Sequence, residues 1–338
     1  MTKSAVVRPY LLTALVVSLG FSVFTALRPS NEFPSNKPGN EVVIAIGNGE
    51  FGSSIAQTLK EKGVIKEAAT FISLANDPHS GAVGIAPGSH RIHSHITSRQ
   101  ALDELLDRSR LTDLVNVEEG STVSDVLKIL AQDPHIVGKT QDALRHVQPA
   151  ISNAAQSLEG QLAPASYTFA QGTSAAQALQ SMVTKFKTSL TQIGFSNSVK
   201  GYSPYDVLKI ASLVQIEADA QDYSRVAGVI YNRLRIGMPL QLNSTVQYAN
   251  GSRGKIALSV QATKINSSYN TYKFIGLPPT PISNPSSGAL LAAMNPEAHN
   301  FLYFITIKPH DTRFTKDYAI FQKWVTEYNH NLAAGLFK

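Results

Sequence analysis

Hydrophobic and polar positions follow three rhythms along the chain. From Tyr10 to Leu27 runs an uncharged stretch of 18 residues, near the lower limit for a helix that spans a bilayer. Val42 to Ile46 is a short apolar run that reads as a buried strand, and Ser53 to Lys62 behind it has helical spacing. The third rhythm is a turn glycine, a Ser or Thr, then apolar residues four apart. It occurs at Gly49 with Ile55 and Leu59, at Gly120 with Val126 and Leu130, and at Gly172 with Ala178 and Met182, and a looser copy runs from Thr97 to Leu105. Each copy predicts a turn, a capped start and a short helix with one buried face. Their recurrence predicts a tandem α+β region in which the glycines, Gly47 and Gly49 included, serve backbone geometry.

Between Tyr202 and Leu234 the pattern predicts helix, brief acidic interruption, helix, with Ser203 or Pro204 opening the first. At about 100° per residue, Ser212, Gln215, Asp219 and Asp222 gather on a polar side. Glu217 falls within about 60° of Ile210, Leu213 and Val214, on the apolar side. A carboxyl there loses water, which disfavours its charged form and raises its pKa, as a general acid near neutral pH requires. The competing reading makes Glu217 a structural carboxylate paired with Arg233 or Arg235, and the residues alone leave both open.

Composition narrows the class. With 43% hydrophobic and 16% charged residues the 338-residue chain is globular and long enough for two or three domains. The net charge of +6 drops to +3 without Lys3, Arg8 and Arg28, which lie in an N-terminal segment without acids. That excess, with no basic tract, gives no support to nucleic-acid binding. Zero cysteines exclude disulfides, thiolate metal sites and cysteine nucleophiles. Lys3 and Arg8 before the apolar run predict a cytoplasmic N-terminus and an extracytoplasmic remainder. A cleaved signal peptide is the alternative, but the run is long and lacks a clean small-x-small site. Pro29 to Asn40 reads as a linker.

Two signatures suggest other chemistry. Gly47-Asn48-Gly49-Glu50-Phe51-Gly52 completes a dinucleotide-binding fingerprint between strand and helix. A second strand ending in an acid would have to be Phe71 to Asp77. Its acid comes later than the usual spacing, and an extracytoplasmic segment has no supply of nicotinamide cofactor. His90, His93 and His95 invite a zinc reading, but i and i+3 positions of a strand face opposite sides and no acid cluster joins them. No metal and no cofactor is therefore expected.

The strand, turn and helix modules resemble the LysM-like part of the MltG (YceG-like) endolytic murein transglycosylase family. Ser157 to Phe169 is similar to that family's connecting signature, through Leu158-Glu159-Gly160 and Pro164-Ala165-Ser166-Tyr167-Thr168-Phe169, with Ala165 where Asp is usual. Ala211-Ser212-Leu213-Val214-Gln215-Ile216-Glu217 resembles its Ala-Ser-Ile-Val-x-x-Glu motif, with Gln215 where many members carry another Glu. Asn232-Arg233-Leu234 and Gly237-Met238-Pro239-Leu240-Gln241 continue the match, followed by Asn243-Ser244-Thr245 with Asn243 in place of Asp. Then come Tyr269-Asn270-Thr271-Tyr272, Gly276-Leu277-Pro278-Pro279, Asn284-Pro285, Asn295-Pro296, Leu302-Tyr303-Phe304 and Phe314-Thr315-Lys316. Phe321 stands where members often carry His.

The resemblance implies an α+β protein organised as a cytoplasmic tail (1–9), a transmembrane anchor (10–27), a linker (28–40), a LysM-like α+β region (41–199) and a catalytic α+β domain (200–338). It implies a cell-membrane enzyme that cleaves the MurNAc-GlcNAc β-1,4 bond of peptidoglycan glycan strands, leaving 1,6-anhydroMurNAc ends, with Glu217 as single acid and base. Asn232, Gln241, Asn270 and Tyr272 are the candidate substrate-binding residues. They offer neutral hydrogen bonds and a stacking surface to a sugar, although Asn and Tyr in such loops also brace turns. Expected partners are the glycan strands, the lipid bilayer and proteins of cell-wall synthesis. The rivals are a glycan-binding scaffold with a decayed site, and the dinucleotide-dependent oxidoreductase.

Overall fold

A computed structural model describes residues 31–47, 49–152, 157–195, 198–252 and 262–337. The expected anchor at residues 10–27 and tail at 1–9 lie outside them. Among the described residues, no helix is long and apolar enough to cross a membrane. The chain is mixed α+β and divides into two compact units between Thr112 and Asp113.

The first unit runs β1 (Glu41–Ile46), α1 (Gly52–Glu61), α2 (Ala68–Ala75), β2 (Gly88–His93), α3 (Ser98–Leu106) and β3 (Leu111–Thr112). The strands form an antiparallel sheet in the order β1-β2-β3, with Glu41 opposite His93 and Ile46 opposite Gly88. Burial alternates along β1: Ile44 and Ile46 are buried while Val43 is 53% exposed. The strand thus covers a core on one face only, filled by Ile55, Leu59, Phe71, Ile92 and Leu102. This corrects the dinucleotide-binding reading. A parallel β-α-β crossover is needed for it, but β1 pairs antiparallel, and Phe71, in the stretch proposed as the second strand, lies in helix α2. Gly49 has φ of +77° with open space where a Cβ would sit, so it serves a left-handed turn.

Residues 31–40, the described part of the stretch expected as a linker, are partly tied down. Ser98 N donates to Glu32 Oε2 at 2.9 Å, Gln100 Nε2 to the Ser35 carbonyl at 2.9 Å, and Gly39 N to the Ser94 carbonyl at 2.7 Å. The three histidines take separate partners. His90 Nε2 lies 2.7 Å from the Ala86 carbonyl, His93 Nδ1 2.8 Å from Glu104 Oε1, and His95 Nδ1 3.3 Å from Ser94 Oγ.

The second unit begins with β4 (Val115–Val117), α4 (Val123–Gln132), β5 (Ile136–Val137), α5 (Thr140–Ala143), β6 (Ala165–Tyr167), β7 (Thr173–Ser174) and α6 (Ala175–Gln192). β4 pairs antiparallel with β6, and β5 parallel with β7. Ala165 sits opposite Val117 in the first ladder, so the missing Asp side chain is not needed to hold this strand. The repeated helix-start pattern is realised in three of its four copies. Thr97 with Gln100, Thr122 with Asp125, and Ser174 with Gln177 each form a reciprocal capping box. The copy at Gly49 differs: its helix begins at Gly52 behind Phe51, which has no capping side chain, so Ser53 lies inside the first turn. The paired apolar positions Ile55 and Leu59, Ala101 and Leu105, Val126 and Leu130, and Ala178 and Met182 are all buried.

The same unit continues through α7 (Pro204–Glu217), α8 (Tyr223–Arg235), α9 (Asn243–Ala249), α10 (Ser287–Met294), the hairpin β8 (Tyr303–Lys308) with β9 (Asp311–Thr315), and α11 (Tyr318–Ala333). Helix α7 starts with Pro204 behind Ser203, whose side chain accepts from Asp206 N. It is the hub of the core: Val207, Leu208, Ile210, Ala211, Leu213 and Val214 are each 0% exposed, and each such burial stabilises by about 1.5 to 3 kcal/mol for the larger side chains. The polar side foreseen for this helix does not face water. Ser212 is buried, with its Oγ donating to the Lys209 carbonyl and accepting from Ile282 N, and its carbonyl accepting from Ser283 Oγ. Gln215 accepts from Ser286 N and donates to the Tyr223 hydroxyl. The Pro-rich segment 278–286 therefore covers that face, and small hydroxyls and an amide satisfy its main chain.

Residues around Glu159 and Asn284 join the halves of this unit. Buried Glu159 accepts from Val123 N at 3.0 Å and from the Tyr248 hydroxyl at 3.0 Å. Asn284, 0% exposed, accepts from Leu162 N and donates to the Ser121 carbonyl. Gly160 has φ of +82°, and a Cβ there would fall 2.7 Å from Pro281 Cβ, so both backbone and space require glycine.

Candidate functional site

Helix α7 ends at Glu217, where the chain turns extended at Ala218 before α8. The helix delivers the carboxyl to the lining of a cavity of about 500 Å³ in the second unit. Glu217 is half-buried there. Burial raises its pKa above the ordinary carboxyl value, opposed by Ser244 and, through space, by the Arg233 charge. As the last residue of α7 it also sits at the negative end of the helix dipole, which acts in the same direction as burial. Ser244 N approaches Glu217 Oε1 at 3.4 Å, and the buried Ser244 hydroxyl has no hydrogen-bond partner among the described residues.

Arg233 lines the cavity without forming the ion pair that would make Glu217 a purely structural carboxylate. Its Nε donates to the Leu302 carbonyl at 2.6 Å, and its Nη1 donates to the Leu240 carbonyl. Its Cζ stands 5.6 Å from the Tyr303 ring centroid. With its Nε and Nη1 directed at main-chain carbonyls, the buried guanidinium acts on Glu217 through its field and fixes the loop before Gln241.

Three of the five residues foreseen for the site meet in this cavity: Glu217, Gln241 and Tyr272. Gln241 is held with φ of +50°, an uncommon conformation for a residue with a side chain, its N donating to the Thr271 carbonyl. The neighbouring Leu242 N donates to Thr271 Oγ1 at 3.0 Å, so the 270–272 loop fixes this turn. The Tyr272 hydroxyl donates to Asn243 Oδ1 at 2.6 Å, and burial raises the pKa of that hydroxyl, with Glu217 adding to the shift.

Asn232 and Asn270 do not reach the cavity. Asn232 Nδ2 donates to the carbonyls of His299 and Phe301, which anchors the approach to β8. Asn270, 0% exposed, donates to the Thr263 and Ile265 carbonyls and accepts from Tyr272 N. Both brace loops whose neighbours, Arg233 and Tyr272, line the cavity.

The cavity is also lined by Tyr303, Phe304, Ile305 and Thr306 of β8 and by Tyr318, Phe321 and Tyr328 of α11; of these the sequence had singled out Tyr303, Phe304 and Phe321 as motif positions and none as a sugar-binding candidate, and it had not pointed to Ile305, Thr306, Tyr318 or Tyr328. Phe321 stacks on Tyr303 with centroids 5.1 Å apart and 25° between the planes. The density of aromatic residues after Leu302 was a usable signal, but only the folded chain shows that they share a cavity with Glu217. Among the described lining residues Glu217 is the single carboxylate, and Glu217 and Arg233 are the only charged side chains.

The sequence model of the YceG-like family matches residues 44–327. An endolytic murein transglycosylase of Bacillus subtilis (strain 168) is 29% identical over 299 residues, covering 81% of this chain and 81% of that protein. One from Streptococcus pneumoniae serotype 2 (strain D39 / NCTC 7466) is 27% identical over 298 residues, 78% of this chain and 54% of its own, so the chain spans about half of that relative's length. A crystal structure of a yceG-like protein from Listeria monocytogenes aligns with a TM-score of 0.57 at 26% identity, covering 84% of this chain and 98% of that one.

Proposed function

The chain belongs to the YceG-like family, and we propose that it is a membrane-anchored endolytic peptidoglycan transglycosylase with Glu217 as its one acid and base. The observation that carries this reading is that Glu217 is the single carboxylate lining the cavity among the described residues. A glycosidase that uses water or a covalent intermediate needs two carboxyl groups flanking the scissile bond. One carboxyl suffices when the sugar supplies its own nucleophile. Protonated Glu217 donates to the glycosidic oxygen as the MurNAc C1–O bond breaks, and that oxygen keeps the electron pair. The Glu217 carboxylate then takes the proton of the MurNAc 6-hydroxyl as O6 bonds to C1, which closes the anhydro ring and returns the acid to its starting state.

A raised pKa suits the first step, and Ser244 with the Arg233 field supports the carboxylate needed for the second. Gln241 and Tyr272 are the neutral groups that contact the sugar. In this reading the modules before residue 200 hold the glycan strand as LysM-like elements, and residues 10–27 anchor the chain.

The test is digestion of sacculi by the full chain, followed by mass analysis of the fragments. Internal fragments ending in 1,6-anhydroMurNAc are expected, and Glu217→Gln lowers their release by about 100- to 10,000-fold while the protein still pellets with sacculi. Reducing ends from the wild type, or normal turnover by the variant, would overturn the reading. A wild type that pellets with sacculi and releases nothing identifies a glycan-binding scaffold instead.

A further inference from the structure

The cavity that holds Glu217 is also lined by an aromatic surface that the acid and base chemistry does not use. Tyr303 from β8 packs against both Tyr318 and Phe321 of α11, with centroids 5.5 Å and 5.1 Å away. Tyr318 and Phe321 complete the triangle at 6.3 Å. The arrangement is held from behind. The buried Arg233 guanidinium backs Tyr303, Asp317 caps α11 by accepting from Ala319 N and Ile320 N, and Arg313 on β9 binds Glu327 of α11 at 2.8 Å.

Two features make this a binding surface rather than a piece of core. Tyr318 is 58% exposed, although it is a large ring at the start of a well-capped helix. No charged side chain belongs to this wall, and the buried Arg233 donates to main-chain carbonyls. The expected ligand is therefore uncharged and has a flat face of C–H groups, which the negative face of an aromatic ring attracts. A pyranose ring has such a face.

We propose that Tyr303, Tyr318 and Phe321 form a saccharide subsite that stacks an uncharged 2-acetamido sugar of the glycan strand, in register with the bond presented to Glu217. The inference deepens the transglycosylase reading and rests on it for the identity of the ligand. Continuity of the wall with the Glu217 cavity argues for a sugar of the same strand rather than for a protein partner. Tyr318 is the residue on which specificity is most open to test, because it is the most exposed of the three rings.

The test uses the full chain carrying Glu217→Gln, so that binding is read without turnover, and chitohexaose as the probe. Adding Tyr318→Ala raises the Kd by about tenfold, the scale of one lost stacking ring, whereas Tyr318→Phe keeps it within about twofold. With an active chain on sacculi, Tyr318→Ala raises KM and leaves the pH profile in place. An unchanged Kd for Tyr318→Ala overturns the subsite. So does equal weakening by Tyr318→Phe, which would mark a hydroxyl contact rather than stacking, or a change confined to self-association in sedimentation. If the wild type releases no anhydro ends while Tyr318→Ala still weakens chitohexaose binding, the activity reading fails and the sugar subsite stands.

Discussion

Glu217 carries its proton differently in the folded and unfolded chain, and that difference has a sign. Burial raises its pKa in the folded state, so between the unfolded value and the higher folded value the folded chain holds more protons. Stability then falls as pH rises through that window, and above it the full cost of the ionised carboxylate is present. Glu217→Gln removes the ionisation. Its melting temperature is expected to exceed that of the wild type at pH 8, with the gap closing towards pH 4; a Tm gap that does not change with pH would contradict the assignment. The groups around the carboxyl tune the same equilibrium. Ser244→Ala removes an interaction that lowers the Glu217 pKa, and Asn243→Asp adds a second negative charge to the cavity. Both move the alkaline limb of the pH-activity profile to higher pH, because a general acid must keep its proton. Unchanged limbs in both variants would remove Ser244 and Asn243 from the account.

Glycines at two element boundaries separate backbone demand from packing demand. Gly49 and Gly160 both have positive φ, but only Gly160 faces an obstacle, Pro281, where a Cβ would stand. Gly49→Ala is expected to cost about 1 to 2 kcal/mol, and Gly160→Ala about 2 to 4 kcal/mol by adding a clash to the strain. Urea titration of each variant checks the ranking, and neither the wild type nor the Gly49→Ala chain is expected to bind NADH saturably. The elements show which features were legible in advance. Local signals worked where a few residues decide the outcome: Ser203 and Pro204 open α7, and the capping boxes at Thr97, Thr122 and Ser174 start their helices. They were silent where distant chain decides. Ser212 and Gln215 read only as part of a polar side, and what they bond to is set by the segment at 282–286. At the site, Glu217, Gln241 and Tyr272 were visible as motif residues, whereas Tyr318 and Phe321 reach the cavity only because α11 folds back on β8 about a hundred residues after α7. Asn232 and Asn270 share motifs with lining residues, yet their amides are taken by main-chain carbonyls.

At the scale of the whole molecule, the first unit and the proposed anchor are linked by very little free chain. Glu32 is already bonded to Ser98 N at the start of α3. If the membrane helix ends at Leu27, the five residues to Glu32 reach at most about 18 Å. The start of α3 is then held near the outer face of the bilayer. Two measurements test this arrangement. An alkaline phosphatase fused after Lys338 should be active, and activity only from a cytoplasmic reporter would reverse the orientation drawn from Lys3 and Arg8. The chain has no cysteine, so Arg99→Cys, exposed in the second position of α3, takes a single fluorophore without background labelling. In liposomes, nitroxide-labelled headgroups should quench that fluorophore, and truncating the chain before Asn31 should abolish the effect. Equal fluorescence with and without the nitroxide lipid would place α3 away from the bilayer and break the link between the Glu32 contact and the anchor.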